Sequence, residues 1–241
     1  MIGLSTFIFG IIIGSFLNVV IYRIPLEQNI AIPASHCPKC KTPLKWWHSI
    51  PILSFVFLRG KCAFCQTKIP SRYPLIELIT GILFVMLYYK IGLTWYLPFI
   101  FFSFASLFAL SVIDFDHMAV PDSVNFAALF FAIINPMFFD SIINGAIAAF
   151  GLFAISWISS KIAKKETMGG ADVIVAATMG ALLGFPLFFI AIFLSALLAL
   201  IPSLIYKDRG VPFIPFLALA ALIVYLFDFY AYNIIEMIMH G

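Results

Sequence analysis

Two sets of side chains in this sequence have the types and spacing to do chemistry. The chain carries only 11 Asp and Glu residues in 241. Five of them, Glu77, Asp114, Asp116, Asp122 and Asp172, lie in or beside long apolar runs. An ionisable group is costly there, so each is a functional candidate by default. Asp114 and Asp116 are two residues apart, about 200° around a helix. They cannot share a face, so one points into a helix bundle and the other to water or headgroups. Pro121 disfavours helix at Val120, and Asp122 with Ser123 then reads as the N-cap of the next helix. Asp172 follows Gly169-Gly170-Ala171; on that stretch alone it is a helix cap or a reactive carboxylate.

The second set is the four cysteines. Cys37-x2-Cys40 and Cys62-x2-Cys65 are separated by 21 residues. Each pair fits a tight turn whose two thiolates reach one ion, and two such pairs make a closed tetrahedral zinc site. Four protein ligands leave no open position for substrate, so the zinc is structural, folding a loop with little core of its own. Lys39, Lys41, Arg59 and Lys61 are candidates for holding the thiolates ionised. His36 and His48 read as ordinary polar residues, and no internal repeat is apparent.

The elements that position these residues follow from composition. The chain is 63% hydrophobic and 10% charged, against roughly 25% charged in a soluble domain. It reads as all-α, a polytopic membrane bundle of about eight helices, with spans near 2–22, 74–92, 96–114, 123–139, 142–160, 172–187, 188–206 and 212–232. The first run lacks a basic flank and a small-x-small cleavage site, so it is expected to stay as a membrane helix. With the N-terminus outside, the cytoplasmic side receives Arg23, Lys39, Lys41, Lys45, Arg59, Lys61, Lys68, Arg72, Lys161, Lys164, Lys165, Lys207 and Arg209. Only Lys90 of the 14 basic residues falls outside, a strong positive-inside pattern. That topology accounts for the net charge of +3 without nucleic acid. Asp140, Asp228 and Glu236 fall near outer ends and read as solvated caps, and Asp208 as a loop residue.

The same topology places Asp114, leaving the third span, and Asp172, entering the sixth, at one membrane face. Two carboxyl groups brought close share a proton. Such a pair can activate water and protonate a leaving amine, as aspartic proteases do. A proton-coupled transporter would put its carboxylates near the bilayer midplane, and a non-enzymatic zinc-containing assembly protein would need no pair at all.

Five motifs in order resemble the bacterial prepilin peptidases, type IV leader peptidases of the GxGD membrane aspartyl class. They are GSFLNVVIYRIP (14–25), CPKC…IPILSF…LRGKCAFC…SRYPLIELITG, DFDHMAVPD, MGGADV and VPFIPFLALAALI (211–223). The resemblance covers nearly the whole chain. It implies cleavage of the short basic leader of type IV prepilins and pseudopilins at the inner face of the inner membrane. It further implies N-methylation of the new terminus with S-adenosylmethionine. By motif, Asp114 and Asp172 are the catalytic residues and Asp116 a supporting one. The implied domains are the first helix (1–23), a cytoplasmic zinc loop associated with methyl transfer (24–73) and a transmembrane peptidase domain (74–241). Three positions depart from the pattern: Ala171 for Gly, Ile174 for Lys and Ile214 for Gly. No G-x-G-x-x-G nucleotide fingerprint occurs. Glu77 and Arg72 are the candidates for the methyl-donor site, with loop anchoring as the alternative role. Asp116, Asp122 and Glu166 are expected to draw the leader's basic residues by charge.

Overall fold

The computed structural model describes residues 1–32, 34–163, 169–205 and 211–233. Lys164, Lys165, Glu166, Lys207, Asp208, Arg209 and Glu236, to which the sequence assigns topological, steering or surface roles, lie outside the described residues. Among the described residues there are helices, turns and two isolated β-bridges, and no strand.

The helices are α1 (Ile2–Arg23), α2 (Leu53–Phe57), α3 (Arg72–Ile91), α4 (Leu97–His117), α5 (Asp122–Ile133), α6 (Phe138–Ala163), α7 (Gly170–Leu183), α8 (Leu187–Ile205) and α9 (Ile214–Leu226). Eight of these match the eight apolar runs, and α2 lies in the cysteine loop. Helices α1, α3, α4, α6 and α8 are long and apolar enough to cross a bilayer, which makes the chain a multi-pass membrane protein.

Helices α5, α7 and α9 have 12, 14 and 13 residues. At 1.5 Å per residue they reach only about 18–21 Å, short of a hydrocarbon layer of about 30 Å. The expected spans at 123–139 and 172–187 therefore overrun. Helix α5 stops at Ile133 because Pro136 disfavours helix at Asn135. There the Asn135 side chain accepts from Met137 N–H (2.8 Å) and meets Ser141 Oγ (2.7 Å). Helix α7 stops at Gly184, whose φ of 66° is a left-handed exit that suits glycine.

The chain divides into two compact units, Met1–Thr94 and Trp95–Gly241. In the first, α3, which the sequence groups with the later helices, packs along α1. A Cβ on Gly14 would come within 2.7 Å of Glu77 Cα, so only glycine permits this approach. Asn18 Nδ2 donates to the Tyr73 carbonyl (3.1 Å) and ties the same pair near its loop end.

In the second unit the short helices form the interior. Helix α5 packs on α4 and α7, and α9 packs on α4 and α7. Helix α6 covers α7, and α8 covers α9. Residues Val175 to Ala181 of α7 are all buried. Such a helix need not reach both bilayer faces, because its neighbours rather than lipid surround it.

Candidate functional site

Asp114 stands in the last turn of α4, 6% exposed, with Ile113 and Leu110 fully buried around it. Its Oδ2 accepts the backbone N–H of Ile214, the first residue of α9, at 3.2 Å. Asp172 lies in the first turn of α7, half-buried, and its carboxylate accepts the Gly169 N–H. Asp114 is close enough to Asp172 for their charges to interact. Positions 58 apart in sequence are thus brought together by α4, α7 and α9.

Asp116 is exposed, as the 200° argument requires, and so is His117. Asp122 differs from expectation. Helix α5 begins at Asp122 with Pro121 in the cap position, and no side-chain cap bond forms. Pro121 has the extended backbone a cap needs, so Asp122 falls one residue inside and contributes only favourable charge in the first turn.

Two contributors to the site were missed by sequence reasoning. Asn125 of α5 is fully buried, and its Nδ2 donates to the carbonyl of Ala171 at 3.0 Å, fixing the backbone just before Asp172. Its Oδ1 is buried without a partner. A lone Asn in an apolar run four residues after Pro121 was the available signal, because a buried amide there needs a purpose. The other is the Ile214 amide. It holds Asp114 through backbone alone, so a side chain in place of glycine leaves that bond intact.

In the first unit, the four cysteine sulfurs lie within 4.8 Å of one another. Cys37 and Cys65 Sγ are 3.8 Å apart. That is the separation of two thiolates each about 2.3 Å from one ion at tetrahedral angles, so the donor set fits zinc. The two knuckles are the same turn built twice. In each, the first cysteine N–H bonds the carbonyl five residues on (Thr42, Thr67), and the residue after the second cysteine bonds back (Lys41 to Cys37, Gln66 to Cys62). Lys41 and Gln66 both take positive φ, 56° and 58°. The bridges His36–Pro43 and Lys61–Lys68 close the turns. An internal repeat, C-x-x-C-x-T, is therefore present after all.

The repeated threonine has a job. Thr67 Oγ1 is 3.3 Å from Cys65 Sγ, and this bond favours the thiolate, bringing Cys65 down to about 6. Thr42 lowers Cys40 in the same way. Threonine hydroxyls, rather than the lysines and arginine expected, dominate, because a short hydrogen bond outweighs solvated charges at longer range.

Glu77 is buried at 8% exposure, and its Oε2 accepts the N–H of Ile52 at 2.7 Å. Beside it a cavity of about 400 Å³ opens within the first unit, with Asn18, Tyr22, Arg23, His48, Tyr73 and Glu77 on its wall. His48 Nδ1 is buried there without a partner. Arg72 is not on that wall.

A multi-pass helical bundle with a carboxylate pair at the ends of two helices and a four-cysteine centre on a separate unit is the plan of a membrane peptidase joined to a metal-binding module. Residues 8–91 match the bacterial peptidase A24 N-terminal domain, and residues 99–204 match the type IV leader peptidase family. The chain is 34% identical to a prepilin leader peptidase/N-methyltransferase of Neisseria gonorrhoeae, over 90% of this chain and 88% of that protein. It is 31% identical to the protein of that name in Pseudomonas aeruginosa, over 90% and 87%. It is 34% identical to a type 4 prepilin-like proteins leader peptide-processing enzyme of Escherichia coli, over 86% of each. No solved structure matches. The chain belongs to the type IV leader peptidase family.

Proposed function

We propose that this protein removes the leader of type IV prepilins or pseudopilins at the cytoplasmic face of the inner membrane and methylates the new N-terminus. The observation that carries the peptidase reading is the convergence of Asp114 and Asp172, each held by a backbone N–H from a different segment. One carboxylate takes a proton from water, which attacks the scissile carbonyl. The partner carboxyl, protonated, supplies a proton to the departing amine. The positive-inside pattern supports the cytoplasmic side, where a basic leader would stay in water while its apolar helix lies among the spans.

Cys37, Cys40, Cys62 and Cys65 would hold zinc as a closed structural site. S-adenosylmethionine, when bound, supplies an electrophilic methyl group. The cavity beside Glu77 suits it in size, since small-molecule sites run upward from about 300 Å³. The unpaired His48 Nδ1 and the Glu77 carboxylate are polar groups available to orient a nucleoside.

Mass spectrometry of a processed substrate's N-terminus tests both halves at once. The mature terminus is expected with one added methyl in the presence of donor and none in its absence. An intact leader under all conditions would defeat the peptidase reading. Cleavage without donor-dependent methylation would defeat the second half alone.

Asn125 gives a further expected result. Asn125→Ala lowers kcat for leader removal, about 10-fold or more, with KM little changed, because the turn before Asp172 loses its tether. Steady-state kinetics on detergent-solubilised protein check this. Asn125→Asp, which cannot donate to the Ala171 carbonyl when ionised, should not rescue.

A further inference from the structure

We propose that residues 46–58 form a re-entrant segment that dips into the membrane beside α1 and α3 and rests its outer face on lipid. Glu77 is five residues into α3 from Arg72, about 7.5 Å along the helix axis. Its partner Ser15 is eight residues back from the Arg23 end of α1, about 12 Å. Glu77 therefore sits well inside the bilayer-facing part of both spans. Yet the group its carboxylate grips is the backbone N–H of Ile52, in the cysteine loop, at 2.7 Å. A loop that reaches Glu77 has descended to that depth.

The backbone there is shaped to do so. Ile52 has φ 59°, ψ −51°, a conformation a β-branched residue rarely adopts. An unpaired N–H at membrane depth is heavily penalised in hydrocarbon, and Glu77 removes that penalty. Irregular backbone at such depth is tolerated only when buried in protein in this way.

The side chains sort by face. Ser54, Phe55 and Leu58 line the cavity together with Ser15 and Glu77. The opposite face of α2 shows Leu53, Val56 and Phe57, exposed by 53, 63 and 82%. Trp46 is 75% exposed just before them. A water-facing surface would carry polar residues at these positions. Lys45 Nζ lies 5.0 Å over the Trp47 ring, and Arg59 and Lys61, both exposed, follow the segment. Aromatic rings flanked by lysine and arginine are the composition of the membrane–water interface, where the cations reach anionic headgroups. Both ends of the loop are tethered to the spans α1 and α3, so the surface is already at the bilayer. The occupant of this face is an anionic lipid bilayer.

The test places a fluorophore on that face in the full chain. Phe57→Trp is made in a background of Trp46→Phe, Trp47→Phe, Trp95→Phe and Trp157→Phe. It is reconstituted in vesicles of phosphatidylglycerol and phosphatidylethanolamine, with or without chains brominated near the carbonyl end. Bromolipid is expected to quench emission from the introduced indole, and iodide in the water to leave it largely unquenched. Iodide quenching with no bromolipid effect would overturn the proposal. So would protection from both, which would indicate a covering protein surface. If the fourfold background does not fold, Trp46→Phe in the otherwise native chain reads the same question by difference. Loss of the bromolipid-sensitive fraction of emission supports the proposal, and no change in that fraction overturns it.

Discussion

Asp114→Asn and Asp172→Asn each abolish leader removal, a loss of about 10³-fold or more in kcat. The geometry requires a loss from both. The pair works by dividing two roles, proton acceptor and proton donor, and an amide can take neither. The substitutions keep the shape of the side chain. An amide at position 114 can still accept the Ile214 N–H through its carbonyl oxygen, so α9 stays docked on α4 and the defect is chemical rather than structural. The double variant is expected to lose little more than either single one, because groups that act as a unit are strongly non-additive. Asp116→Asn changes kcat far less, since that side chain is on the solvent side of α4. Cleavage of a prepilin in reconstituted membranes, followed by gel shift, is the measurement. Retained cleavage in either single variant would remove that residue from the pair.

The second large effect concerns the cysteine centre. The full chain is expected to bind one zinc, and Cys37→Ser or Cys62→Ser to lose it. The affinity of structural zinc is worth about 10–16 kcal/mol in small domains and is spent on folding them. Residues 27–71 have few other means of holding shape. Among those of them that are described, only Cys37 and Cys62 are buried. Chelation or either substitution should therefore open the loop to protease between the spans while α1 and α3 stay protected by lipid. Metal content by mass spectrometry and limited proteolysis read the two consequences separately. The threonines predict a pH signature. With Cys65 at about 6, its thiolate is present above that pH and lost as the pH falls through it. Thr67→Val removes the favouring hydrogen bond, the thiol titrates higher, and zinc loading at pH 6 falls relative to pH 8. Equal loading of the variant and the native chain at pH 6 would sink the role given to Thr67. Methylation should fall with metal loss, because Cys37 and Cys62 also line the cavity assigned to the donor.

Much of the fold was legible because the membrane constrains it. An apolar run with few charges has little choice but helix, and all eight runs are helices. Their ends were less legible. Hydropathy continues past Ile133 and Leu183 and so overstates α5 and α7, whose ends are marked instead by Pro136 and Gly184. The clustering of the four cysteines was readable from spacing, because two thiols on one tight turn can face one point wherever the loop lies. Their threonine partners were readable in principle from C-x-x-C-x-T, but only the repeated turn gave them meaning.

The sequence alone determined that the chain is a helical membrane protein, that four cysteines gather at one point, and that Asp114 and Asp116 face different ways. Each of these follows from local geometry or from the cost of burying charge. Tertiary structure decided the rest. It brought Asp114 toward Asp172, used the amide of Ile214 to hold one and the side chain of Asn125 to brace the other, and seated Ile52 on Glu77. Those contacts join residues 25 to 100 positions apart. Such pairings depend on which helices pack together, and no local pattern of residues encodes that choice.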